Sequence, residues 1–130
     1  MSARLFAAML CMWPLAAWSC GVCDEDKVAA TYDHAVISRA AVARQTVVFV
    51  AVDSPVEAQA FARRVATVAP GVRGVLRSSV RTAVAPVAFS FVLDPAVQTP
   101  ASAVGELRRL LNPDTDLRIV RIVSAPPRRS

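Results

Sequence analysis

Two cysteines separated by two residues, Cys20 and Cys23, are the side chains best suited to chemistry in this chain. Two thiolates at this spacing can hold one soft metal ion such as copper(I), whereas zinc prefers four nitrogen or sulfur ligands and would need two more. The same pair could instead form a small disulfide ring or exchange disulfides with a thiol partner. We therefore predict a metal site on Cys20 and Cys23, with copper(I) favoured, and keep the disulfide and redox roles as alternatives.

Three acidic residues, Asp24, Glu25 and Asp26, follow the cysteine pair directly. Carboxylates in the first turn of a helix complement the positive end of the helix dipole. Next to the cysteines they would attract a cation and disfavour an anionic sulfur. We interpret them as a supporting acidic cluster, which favours metal binding over nucleophilic redox chemistry.

The N-terminus has the pattern of a secretory signal peptide. Arg4 supplies a positive charge, residues 5–18 are uncharged and mostly apolar, and small residues, Ala17 and Ser19, occupy the positions that a signal peptidase recognises. The apolar stretch is shorter than the roughly 20 residues of a transmembrane helix. We expect cleavage before Cys20 and a periplasmic or secreted protein.

A lipoprotein peptidase also cleaves before a cysteine, so a lipid anchor on Cys20 is the alternative. Ser19 fits the pattern that this peptidase needs and Trp18 does not. The choice matters because a lipidated Cys20 could not act as a thiol. The membrane is expected as a partner only through the signal peptide or this lipid.

Composition excludes several classes of function. The chain is 55% hydrophobic, which suits a folded domain, and carries a net charge of +5. Its basic residues form no long run and do not alternate with aromatic residues, so nucleic-acid binding is not expected. A single histidine, with no glycine-rich phosphate loop and no paired carboxylates, leaves little for acid–base catalysis, so no enzymatic activity other than the alternative redox role is expected.

That histidine, His34, is a tempting third metal ligand. It lies eleven residues after Cys23, which is about 16 Å along a continuous helix. We therefore expect an ordinary, partly buried histidine beside Asp33.

Periodicity and turn signals predict the elements of the mature chain. Ser54 is a predicted helix cap, with Glu57 completing a capping box. Valine-rich or continuous apolar runs predict strands, and apolar residues at helical spacing predict helices. The predicted elements are a helix over 24–44, a strand over 46–52, a helix from 54 to 70, strands over 72–79 and 87–93, a helix from 99 to 111 and a strand over 117–123.

From residue 46 onward this order is βαββαβ, so we predict an α+β, ferredoxin-like domain with a four-stranded antiparallel sheet, preceded by an extra N-terminal helix and a cleaved signal peptide. The first and third strands are apolar and belong in the centre; the second and fourth contain arginines and belong at the edges. Phe49 and Phe89 should be buried there, and the extra helix should cover the second sheet face. The predicted organisation is 1–19 signal peptide, 20–44 cysteine pair and helix, 45–124 domain and 125–130 loose tail.

In topology over residues 46–123 and in its Cys-x-x-Cys pair, the chain resembles the heavy-metal-associated family of small ferredoxin-like domains, which carry copper(I). The resemblance implies that Cys20 and Cys23 bind the metal for handling or delivery, with a metal-donor or metal-acceptor protein as partner. That family places its cysteines in the loop after the first strand. Here that loop is Asp53-Ser54-Pro55, and the cysteine pair lies ahead of the strand.

The alternative is an accessory or interaction protein whose cysteine pair forms a disulfide, performs thiol–disulfide exchange or carries a lipid anchor. Cys20-Gly21-Val22-Cys23 also looks like the Cys-Gly-x-Cys of thioredoxin-like oxidoreductases. Those proteins place the motif at the end of a central strand, and only the predicted signal peptide precedes it here.

Overall fold

Two apolar segments form adjacent central strands in the computed structural model, which describes residues 24–125. β1 (Thr46–Val52) and β3 (Val87–Leu93) pair antiparallel along almost their whole length. Strands that are buried on both faces have nearly continuous apolar sequences, as these two do. Phe49 and Phe89 are each 1% exposed, so the predicted burial of both rings on adjacent central strands is confirmed.

The α-helices and the other two strands surround this pair. They are α1 (Asp24–Thr31), α2 (His34–Val42), α3 (Ala58–Val68), β2 (Arg81–Val84), α4 (Pro100–Leu111) and β4 (Leu117–Ser124). The sheet order is β2-β3-β1-β4 and every neighbouring pair is antiparallel. The predicted α+β class, the four-stranded antiparallel sheet and its central first and third strands are confirmed. The arrangement is compatible with a ferredoxin-like fold. Within residues 24–125, no helix has the length and apolar character needed to cross a membrane.

The second strand lies later in the chain than predicted. Residues 72–79 are not a strand: Val72 and Ser79 donate backbone hydrogen bonds three residues back, and Val75 forms only an isolated bridge with Leu93. Gly74 has a positive φ of 84°, where a Cβ would lie 3.0 Å from that of Val97. The chain therefore turns through this segment, and its pairing with β3 begins at β2. The two valines of the segment, Val72 and Val75, are buried at a spacing of three residues, which suits turns and not a strand.

Helices α3 and α4 cover one face of the sheet. The start of α3 differs from the predicted capping box, because Glu57 itself caps the helix by accepting from the backbone N–H groups of Gln59 and Ala60 at 3.3 and 2.5 Å. In α4, Leu107 and Leu111 are buried, whereas Leu110 is 47% exposed. Leu111 is four residues after the buried Leu107, and Leu110 is three residues after it. Residues four apart lie closer to the same helix face than residues three apart, so Leu111 takes the core position.

Two helices, rather than the single predicted helix over 24–44, cover the other face. The break falls at Tyr32 and Asp33, where the Asp33 carboxylate accepts from the N–H groups of Ala35 and Val36 at 3.0 and 3.2 Å and so starts α2 as its N-cap. Val28 and Val36 pack with Phe49 in the core of this face, whereas Tyr32 is 53% exposed. Both helices therefore pack on the second face of the sheet.

Candidate functional site

The predicted site divides between undescribed and described residues. Cys20 and Cys23, like the predicted signal peptide, lie outside the residues that the structure describes. The predicted acidic cluster is described: Asp24, Glu25 and Asp26 form the first turn of α1 and are exposed. The described part of the site is therefore this first turn of α1, together with the residues that contact it.

A β-bulge in β4 directs two arginines toward α1. Arg118 lies opposite Ala51 and Arg121 opposite Phe49, with a register shift between Phe49 and Val50. Residues three apart on a regular strand point to opposite faces. The extra residue at the bulge returns Arg121 to the face of Arg118. Both guanidinium groups consequently reach the acidic turn.

Arg118 joins that turn to the loop that follows β1. Its Nη1 and Nη2 donate to the Asp24 carboxylate at 3.0 and 2.9 Å, in a bidentate contact. Its Nε and Nη2 donate to the Asp53 carboxylate at 2.7 and 3.3 Å. Charge-assisted bidentate contacts impose a defined geometry as well as an attraction. One side chain thus ties the start of α1, the end of β1 and the start of β4 together.

Lys27 completes this arrangement, which we call the Arg118 cluster: Asp24, Lys27, Asp53 and Arg118. The Lys27 Nζ lies 3.6 Å from Asp53 and 3.9 Å from Asp24, and its side chain is only 16% exposed. Two carboxylates and two cations therefore balance each other. Ion pairs at exposed positions contribute little stability, so the main consequence of the cluster is the position that it gives to the start of α1.

The loop after β1 is itself held firmly. The Asp53 N–H donates to the carbonyl oxygen of Asp116 at 2.9 Å, and the Asp116 N–H donates to the Ser54 hydroxyl at 2.6 Å. Ser54 therefore secures the approach to β4 instead of capping α3 as we expected. These two hydrogen bonds to Asp116 hold the backbone from which the Asp53 carboxylate reaches Arg118.

The cluster keeps its carboxylates charged. Hydrogen bonds from the Arg118 guanidinium are the main cause that lowers the pKa of Asp24 below its usual 3.8, and they lower the pKa of Asp53 in the same way. The two carboxylates in turn raise the pKa of Arg118. All three groups are therefore ionised at neutral pH, and the arrangement persists there.

The three acidic residues are not equivalent. Glu25 forms an ion pair with Arg121, and Asp24 is held by Arg118. Asp26 forms no ion pair with any other residue between 24 and 125 and stays exposed. Of the three carboxylates expected to attract a cation, Asp26 is the one whose charge no described cation compensates.

His34 begins α2 and is exposed, not partly buried as predicted, with its Nε2 3.4 Å from the Ser38 hydroxyl. The separation of about 16 Å from Cys23 assumed one continuous helix, and the break before α2 removes that basis. Among residues 24–125, no group of three or more His, Cys, Asp or Glu side chains is arranged to hold a metal ion.

Sequence reasoning missed Arg118 and Asp53 as partners of the acidic turn. Residues three apart on a regular strand would point to opposite faces of the sheet, and only the bulge brings Arg118 and Arg121 to one face. The signal that was present is complementary charge: three acids stand in the first turn of the covering helix, and each predicted edge strand carries two arginines.

Comparisons with known proteins add no relative. No protein-family model, curated protein or solved structure matches this chain.

Proposed function

We propose that this protein is a small exported carrier that binds one soft metal ion, with copper(I) favoured, on the thiolates of Cys20 and Cys23. It would receive the ion from a donor protein or deliver it to an acceptor protein. We also propose that its sheet and the helices α3 and α4 form a ferredoxin-like domain, in keeping with the observed strand order.

The observation that carries this proposal is the contact of Arg118 with both Asp24 and Asp53. Asp24 is the residue that follows Cys23 in the sequence, and Asp53 belongs to the loop directly after β1. The heavy-metal-associated family, which the chain resembles, carries its cysteine pair in that loop. In this chain the loop contains no cysteine, but Asp24, the residue after Cys23, is linked to the loop through Arg118.

The charge balance of the Arg118 cluster also favours thiolate ligands. Uncompensated carboxylates would oppose the deprotonation of nearby thiols, but two of the three in the acidic turn are compensated, Asp24 by Arg118 and Glu25 by Arg121, which leaves only Asp26. Nearby cations and a helix N-terminus lower the pKa of a thiol. Copper(I) binding needs both thiols to release their protons, so this environment supports it.

A copper(I) titration of the reduced, mature protein tests the proposal. In competition with a copper(I) chelator under anaerobic conditions, we expect one ion per chain. Cys23→Ser should lose most of the affinity, because one thiolate is removed from a two-coordinate site. Cys11→Ser is the matched control: Cys11 leaves with the signal peptide, so this substitution should not alter the mature protein.

Intact-mass measurement and N-terminal sequencing of the same sample test the compartment and the state of the cysteines. We expect a chain that begins at Cys20 with two free thiols after reduction. A chain that begins at Met1 would contradict export, and a lipid mass on Cys20 would contradict the two-thiolate site. A reduced protein that ignores copper(I) but exchanges disulfides with a thiol partner would replace metal carriage with the redox role.

The contribution of the Arg118 cluster can be tested separately. Arg118→Ala removes the hydrogen bonds that link Asp24 to Asp53 and leaves only the longer contacts of Lys27, and we expect the copper(I) affinity to fall a few-fold while the stoichiometry stays at one. Arg109→Ala removes an arginine from the last turn of α4, away from the cluster, and should leave the affinity unchanged. Equal affinities in both variants would show that attachment to the β1 loop does not matter for binding.

A further inference from the structure

A cavity of about 260 Å³ lies beneath α2 on the side of the sheet away from α3 and α4. Its apolar wall is formed by Val36 and Ala40 of α2 and by Val92 of β3. These three side chains belong to the core of this face and are at most 9% exposed. The cavity therefore ends in an apolar floor, of which only a small area is open to solvent.

Two arginines stand at the rim of this cavity. Arg39 projects from α2 and forms no ion pair with any residue between 24 and 125. Arg81 begins β2; its Nε contacts Asp33, and its Nη1 donates to the carbonyl oxygens of Ser78 and Val80. No carboxylate is among the described residues that line the cavity. The rim thus carries an excess of positive charge.

The wall opposite α2 is rigidly built. The Ser79 hydroxyl, in a residue that is 2% exposed, donates to the carbonyl oxygen of Leu76 at 2.6 Å and accepts from the Val92 N–H at 2.8 Å. These bonds fasten the turn at Arg77–Ser79 to β3. The contact between Arg81 and Asp33, which caps α2, fastens the same wall to the helix. The cavity is consequently preformed, and a ligand would not have to order its walls.

We propose that this cavity binds a small organic monoanion: an apolar body of about the size of a benzene ring that carries a carboxylate-like group. An apolar protein cavity of roughly 150 Å³ holds one benzene molecule. The volume of about 260 Å³ here leaves room for an attached anionic group. The apolar body would lie on Val36, Ala40 and Val92, and the anionic group would accept hydrogen bonds from Arg39 at the rim. This site is independent of the proposed metal site.

Benzoate and its neutral analogue benzamide are suitable probes, titrated into the mature protein and followed by amide chemical shifts. We expect saturable shifts at Val36, Ala40 and Val92, with benzoate bound about ten-fold more tightly than benzamide because it gains a charge-assisted contact. Higher salt should weaken benzoate and leave benzamide unchanged.

Variants separate the site from general attraction between the basic protein and an anion. Arg39→Ala alters an exposed side chain and should weaken benzoate about ten-fold, to the level of benzamide. Arg109→Ala, on the opposite side of the sheet, should not weaken it. Ala40→Leu, which fills the cavity, should abolish the shifts while thermal unfolding shows that the protein stays folded.

Three results would overturn the proposal. They are no saturable shift at the cavity residues, equal binding of benzoate and benzamide, and equal losses in Arg39→Ala and Arg109→Ala.

Discussion

Thr31 ends α1 with a buried hydroxyl that has no hydrogen-bond partner among the described residues. The residue is 5% exposed, and its carbonyl oxygen accepts from the Ser90 hydroxyl at 3.3 Å. A hydroxyl that is buried without a partner costs about 1–3 kcal/mol. Thr31→Val keeps the β-branched shape and a similar helix propensity while it removes the hydroxyl. We expect the free energy of unfolding to rise by about 1 kcal/mol.

Urea unfolding followed by circular dichroism measures this change. The midpoint should move to higher urea at an unchanged slope, because the surface exposed on unfolding stays the same. In a thermal scan the same gain corresponds to about 4–8 °C for a domain of this size.

Ser79→Ala is the matched contrast, because the Ser79 hydroxyl is also buried but makes two hydrogen bonds. Its loss leaves the Val92 N–H unsatisfied and should lower the free energy of unfolding by about 1–3 kcal/mol. A Thr31→Val protein that is less stable than the parent would refute the reasoning, since it would mean that the Thr31 hydroxyl is hydrogen-bonded after all.

Three further substitution tests follow from the structure. Phe49→Ala and Phe89→Ala should each lower the free energy of unfolding by about 3–5 kcal/mol in urea titrations, because each ring is fully buried on a central strand; losses below about 1 kcal/mol would contradict the sheet order. The lowered pKa values of Asp24 and Asp53 mean that their ion pairs stabilise the fold above their usual pKa of 3.8 and that this contribution is lost as the pH falls through the lower folded values. Asp53→Asn should therefore lose stability less steeply than the parent when acid unfolding is followed below about pH 4. Glu57→Ala removes the α3 cap and should cost about 1 kcal/mol in thermal unfolding, whereas Glu57→Asp should retain most of it.

The local sequence predicted those elements in which the pattern of apolar residues matches the burial in the folded protein. β1 and β3 are apolar at almost every position, and this pattern both selects a strand and places it where two faces are covered. The arginines of β4 predicted an edge strand, which the sheet order confirms. The bounds of α4 follow from Thr99, which caps it, and from the Asn112-Pro113 pair that ends it.

Other features failed because their signal depended on neighbours distant in sequence. Residues 72–79 were expected as a strand, but their backbone bonds are mostly local turns, and the ladder along residues 87–90 of β3 is formed by β2. The break between α1 and α2 is stabilised partly by Arg81, which reaches Asp33 from a position 48 residues away. No pattern within the helix itself reveals such a partner.

The candidate site shows the same division. The sequence by itself determined which side chains can act: two thiols at a chelating spacing, an acidic turn after them and an apolar, two-faced sheet centre, because residue type and spacing are properties of the chain. Only the tertiary structure decided that Arg118 links Asp24 to Asp53. It also decided that Asp26 alone of the acidic turn lacks a described ion-pair partner. The physical reason is the bulge in β4, which turns Arg118 and Arg121 to one face and so lets an edge strand compensate the charges of a helix that lies far from it in sequence.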